Sequence, residues 1–136
     1  MIITKLTGGL GNQMFQYAAG RHLSIINKTE LLLDTRVYDS RYKTHKYGLD
    51  MFDIKAEVLN KNVNNLKLVT EKSFVYDENI LKLNNNTYLQ GYWQTEKYFK
   101  DIKDIIKNDF RVKKEKMFRY YDDIKEQELT QKIFIK

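Results

Sequence analysis

Three glycines stand within four positions, at Gly8, Gly9 and Gly11, close to the start of the chain, and they constrain what the rest can become. Such a cluster is costly in chain entropy, and it persists where the backbone needs left-handed angles or where something must approach it closely. Ahead of it, Ile2, Ile3 and Leu6 form a short apolar run over residues 1–6, which predicts a buried strand ended by the glycines. Behind it, Phe15, Ala18, Ala19, His22, Leu23 and Ile26 recur at helical spacing, a stripe broken only by His22. The stretch therefore reads as strand, glycine turn and helix, with Asn12 as the N-cap.

A turn of this kind aims the first amides of a helix at whatever lies above it, with the positive end of the helix dipole behind them. That suits a phosphate or diphosphate. The same residues equally make a tight turn that does nothing more. The loop is not a P-loop, because no Gly-Lys-Ser/Thr closes it. As a dinucleotide fingerprint it lacks its last small residue, since Met14 stands there. Residues 30–34 nevertheless read as a second strand ending in Asp34, near the ~20-residue offset of a ribose-binding carboxylate. A Rossmann-type NAD site, with Asp34 on the ribose, stays open.

At 136 residues the chain suffices for one modest domain, and 42% hydrophobic with 31% charged residues is the composition of a folded one. The absence of cysteine excludes disulfides and thiolate metal sites, and two histidines leave few imidazole options. No run approaches the ~18 apolar residues of a membrane span, and the N-terminus enters a strand without a signal-like segment. The expected setting is cytoplasmic, free or held peripherally at the inner membrane face. The net charge of +6 permits anionic partners, but the lysines are scattered apart from Lys113, Lys114 and Lys116. With no RNP, zinc-finger or helix-turn-helix pattern, nucleic acid is not an expected partner.

Along the chain, residues 35–48 carry Tyr38, Tyr42, Tyr47 and His45 among basic residues without a period, and read as a loop. Residues 57–63 are expected to form a helical turn, 66–70 and 74–76 strands, 77–83 a short helix and 84–86 a turn. Residues 129–136 finish a helix or open a strand at 133–135. The next informative stretch is a strand over 88–93 with Gly91 inside it, a sign of a bulge or a close backbone neighbour. Thr95 then caps a helix with Phe99, Ile102, Ile106 and Phe110 on one face. Tyr92, Trp93 and Gln94 thus sit where a strand hands over to a helix. In open parallel sheets ligands collect beyond the carboxyl ends of the strands, the edge that would also carry the glycine turn.

The run from Gly8 to Ala18, Gly-Gly-Leu-Gly-Asn-Gln-Met-Phe-Gln-Tyr-Ala, and that from Gly91 to Phe99, Gly-Tyr-Trp-Gln-Thr-Glu-Lys-Tyr-Phe, together resemble the α-1,2-fucosyltransferases of glycosyltransferase family 11. The resemblance covers essentially the whole chain, as the N-terminal half of that family. It implies an α/β fold: a Rossmann-like N-terminal domain, a parallel sheet flanked by helices, from a two-domain GT-B-type enzyme. Residues 1–136 would be the acceptor-side domain. It further implies GDP-fucose as donor, a galactose-terminated glycan as acceptor, transfer to the 2-hydroxyl with inversion, and no metal or other cofactor. The substrate-binding residues it implies are Gly8, Gly9, Gly11, Asn12 and Gln13, then Tyr92, Trp93 and Gln94, with Asn12 the candidate catalytic residue and no general base named. The family's donor-binding His-x-Arg-Arg-Gly-Asp has no counterpart here, so the chain is expected to lack the donor domain and to be inactive alone. Two other readings stay open: an NAD-binding domain, and a truncated interaction module that self-associates through apolar surface left by the missing domain.

Overall fold

The computed structural model describes residues 1–39 and 44–124. The expectation for residues 129–136 lies outside the described residues. Five strands, β1 (Ile2–Lys5), β2 (Leu31–Asp34), β3 (Glu57–Val58), β4 (Lys67–Thr70) and β5 (Thr87–Gln90), form one sheet of order β3-β2-β1-β5-β4. Every pairing is parallel, so the fold is α/β and Rossmann-like. Among the described residues the α-helices are α1 (Leu10–Ile26), α2 (Lys103–Asp109) and α3 (Met117–Ile124).

The central strand β1 is apolar on both faces because it is covered on both: Ile2, Ile3 and Thr4 are fully buried. It pairs with β2 in the register Ile2↔Leu31 to Lys5↔Asp34, and with β5 from Ile2↔Thr87 to Thr4↔Leu89. Between β1 and β2 the chain forms α1, the crossover that a parallel pair requires. The helix carries its stripe onto the sheet, with Met14, Ala18, Ala19 and Leu23 fully buried. Thr4 Oγ1 donates to the Gln16 carbonyl at 3.2 Å, fastening strand to helix. His22, the break in the stripe, is buried with Nδ1 2.8 Å from the Tyr98 carbonyl oxygen, so its role is structural.

Aromatic side chains close the far side of the core. Phe110 meets Tyr17 at 5.3 Å and Phe52 at 5.2 Å between ring centroids, and each such burial contributes about 1.5–3 kcal/mol. Asp109, at the end of α2, is buried. It accepts hydrogen bonds of 2.8 Å from Tyr17 Oη and from Arg21 Nε, which joins α2 to α1.

Several sequence expectations are corrected. Gly9, not Asn12, occupies the N-cap of α1, because the helix begins at Leu10, three residues earlier than an Asn12 cap would place it. Residues 57–63 contain the two-residue strand β3 rather than a helical turn: Leu33 accepts from the Leu59 amide at 2.8 Å, and sheet pairing overrides local preference. Residues 74–76 form no strand, and Phe74 and Val75 are exposed. The strand expected over 88–93 ends at Gln90. The helix capped by Thr95 is broken into two 3-10 turns, Glu96–Tyr98 and Lys100–Ile102, before α2. Thr95 does cap, accepting from the Lys97 amide at 3.3 Å. The loop after β2 opens with a 3-10 turn, Arg36–Asp39.

Candidate functional site

The chain leaves β1 toward β2 on one side, while β5 lies on the other, so the crevice past the carboxyl ends of β1 and β5 is the topological switch point of the sheet. Two turns meet there. The first, after β1, is the glycine turn. Gly8 has φ +78°, and a side-chain Cβ at that position would fall 2.3 Å from Asn12 Nδ2, so only glycine fits. The first intrahelical bond runs from the Gln13 amide to the Gly9 carbonyl at 3.1 Å.

The second turn, after β5, is Gly91-Tyr92-Trp93-Gln94. Trp93 adopts φ +54°, a left-handed conformation uncommon for a bulky residue. A Cβ at Gly91 would lie 2.5 Å from Glu71 Cβ and 2.9 Å from the Trp93 ring, which gives the close-approach reason for that glycine. Gln94 Nε2 donates to Asn12 Oδ1, so the two runs singled out in the sequence are joined directly.

Two buried glutamines hold these turns. Gln13 Nε2 donates to the Gly8 carbonyl at 3.1 Å and to the Lys46 carbonyl at 2.8 Å, while its Oε1 accepts from the Gly48 amide at 2.9 Å. Gln16 Oε1 accepts from the Thr7 amide at 3.0 Å, and its Nε2 donates to the Gly91 carbonyl at 3.1 Å. Gln13 therefore spends its amide on the scaffold of the glycine turn, and Trp93 is fully buried. Asn12 is half-buried, and Tyr92 and Gln94 are exposed at the crevice. Gln16 is a residue the sequence reading missed; the available signal was an amide on a helix turn packed among Met14, Phe15, Tyr17 and Ala18.

Beside the turns, a cleft of ≈ 320 Å³ is lined by Lys5, Thr7, Thr70, Glu71, Gln90, Gly91 and Tyr92. Glu71 follows β4 and reaches under the second turn, accepting from the Tyr92 amide at 3.0 Å and the Trp93 amide at 3.1 Å, one to each carboxylate oxygen. Glu71 also lines an open cleft of ≈ 790 Å³ whose lining includes Trp93 and Tyr98. Trp93 Nε1 has no hydrogen-bond partner among the described residues.

The chain is 29% identical to an alpha-1,2-colitosyltransferase of Escherichia coli over 129 aligned residues, covering 81% of this chain and 44% of the relative. The likeness supports a glycosyltransferase. The chain spans less than half the length of that curated relative. No protein-family model matches it, and no solved structure matches it.

The electrostatics bear on the ribose expectation for Asp34. Its Oδ1 accepts from Arg36 N and Nε at 3.2 and 2.9 Å, and its Oδ2 accepts from Arg36 Nη2 at 2.8 Å and from the Tyr88 hydroxyl. Burial raises the Asp34 carboxyl, but the Arg36 and Tyr88 hydrogen bonds outweigh it and bring the pKa down to about 2. The same burial, reinforced by Asp34, pushes the Tyr88 phenol up. A ribose would have to displace a bidentate arginine and a tyrosine, so Asp34 is a structural anchor at the end of β2. Among the described residues no group of three or more His, Asp or Glu side chains is gathered as metal ligands, and no helix is long and apolar enough to cross a membrane.

Proposed function

We propose that this chain is the N-terminal, acceptor-side α/β domain of an inverting α-1,2-glycosyltransferase of the two-domain GT-B type. In this reading the enzyme moves fucose from GDP-fucose to the 2-hydroxyl of a terminal galactose in a glycan, without a metal, and the donor domain lies outside these 136 residues. The observation that carries the reading is the likeness to the alpha-1,2-colitosyltransferase, whose named linkage is the one made by the fucosyltransferases that the two motifs resemble. The geometry agrees with it: both motifs meet at the switch point of a parallel sheet, joined through Asn12 and Gln94.

Gly9, Gly11 and Asn12 supply amide donors and the positive end of α1, the kind of group that stabilises charge growing on a departing diphosphate. Tyr92 and Gln94 offer an exposed ring and an amide for a sugar, and Gln13 and Trp93 hold the two turns beneath them. The chain alone, without a donor domain, is expected to give no transfer product.

Calorimetric titration of the chain with methyl β-galactoside and, separately, with NAD tests the reading. It predicts weak saturable heat for the galactoside and none for NAD. Binding of NAD with no response to galactoside would move the assignment to a nicotinamide domain.

A further inference from the structure

The reaction proposed above needs a group to take the proton of the acceptor hydroxyl, and the glycine and tryptophan turns contain none. The cleft next to them does. Among the described residues lining it, Glu71 is the sole acid and Lys5 the sole cation, with the hydroxyls of Thr7 and Thr70, the Gln90 amide and the half-exposed Tyr92 ring around them. Hydrogen-bonding groups around one aromatic ring, in a space of ≈ 320 Å³, match a single hexose.

Glu71 is held there with unusual investment. Its own amide donates to the Gln90 carbonyl at 2.9 Å, fixing its backbone to β5. Its carboxylate is held by two consecutive backbone amides, which are presented because Gly91 leaves room for the Glu71 stem and Trp93 accepts a left-handed angle. Each carboxylate oxygen accepts one such bond and keeps a further lone pair. The carboxylate is thus half-buried, oriented and still able to accept a hydrogen bond from a ligand in the cleft.

We propose that Glu71 is the general base of the transfer, receiving the reacting hydroxyl of a hexose bound between Lys5, Gln90 and Tyr92; this rests on the glycosyltransferase reading above. In the step, the hydroxyl oxygen bonds to the anomeric carbon of the nucleotide sugar while that carbon's bond to the diphosphate breaks. The bonding pair leaves with the nucleoside diphosphate, and the hydroxyl proton passes to a Glu71 carboxylate oxygen. Lys5, at the end of β1, supplies a positive charge to the cleft.

The test uses the chain with methyl β-galactoside and its 2-deoxy analogue, following the Glu71 side-chain carboxyl carbon by NMR. The galactoside is expected to shift that carbon. The analogue should bind about tenfold more weakly, the loss expected for one hydrogen bond to a charged group. In Glu71→Gln, which keeps only a neutral acceptor, the discrimination between the two ligands should fall well below tenfold. If galactoside shifts the amides of both turns while the Glu71 carboxyl carbon stays still, or if Glu71→Gln still discriminates tenfold, Glu71 only braces the turn and the proposal is wrong while the reading above stands. If galactoside binds nowhere, both fall. Should Glu71→Gln fail to fold, the carboxyl response of the unsubstituted chain decides alone.

Discussion

At Asp34, burial and hydrogen bonding act in opposite directions on one carboxylate, and hydrogen bonding wins. Its pKa stands at about 2, against an ordinary 3.8. A carboxyl lowered by folding contributes stability that is complete above its unfolded pKa and disappears as pH falls from about 4 toward 2. With Arg36 two-thirds exposed, screening reduces the contribution to on the order of 1–2 kcal/mol. Asp50, whose pKa the Arg119 hydrogen bonds lower, loses its contribution in the same direction as pH falls. Asp34→Asn should therefore flatten, without abolishing, the loss of thermal stability between pH 5 and pH 2.5, as followed by circular dichroism. An unchanged slope would mean that the Arg36 and Tyr88 contacts contribute nothing to folding. Gly91 makes the second residue-scale case. Gly91→Ala must push either Glu71 or Trp93 aside, and neither contact is with a free chain end, so a loss of about 1–3 kcal/mol in urea unfolding is expected.

At the scale of elements, the glycine turn is braced because α1 directs two buried amide side chains, Gln13 and Gln16, onto the backbone of the turn. Gln13 ties the turn to the segment around Gly48 by accepting from the Gly48 amide, and Arg119 Nη2 on α3 donates to the Gly48 carbonyl at 3.1 Å. Gln13→Ala leaves the buried Gly48 amide without its acceptor and removes one donor from the Gly8 carbonyl, a loss of about 1–3 kcal/mol. The accompanying sign is local: hydrogen exchange at the Gly48 amide should accelerate strongly. Exchange at the Thr29 amide, bonded to the Ser24 carbonyl at the far end of α1, should not change beyond the global loss. These elements were unevenly legible in the sequence. β1 and α1 could be read because an apolar run ends at the glycines and a helical apolar stripe begins after them, and β2 because a continuous apolar run ends on Asp34. β3 could not, since Glu57 and Val58 are both exposed and held only by pairing to β2. Residues 74–76 have strand composition without a partner to pair with, and composition alone does not make a strand. Asn12 was misplaced as the cap because the helix can start on a glycine, whose missing side chain leaves no cap signal to read.

At the scale of the whole molecule, what decides the site is strand order. The sequence places the glycine turn and Gly91–Gln94 some eighty residues apart, and both turns were recognisable as strand-to-helix handovers. Their adjacency follows only from β5 inserting next to β1, with β4 outside it. Nothing in the local pattern specifies that insertion, which is also why Glu71, carried in on β4, was invisible as a member of the site. Likewise Tyr88 reaches Asp34 across β1, a contact that no spacing announces. The central claim is that the two turns make one sugar-facing site. The most direct measurement is a backbone-amide NMR map of the chain titrated with methyl β-galactoside. The account predicts that the signals that move cluster at Gly9–Asn12 and at Tyr92–Gln94, with half-saturation at the same ligand concentration. Movement of one turn without the other, or of a patch remote from both, would contradict it.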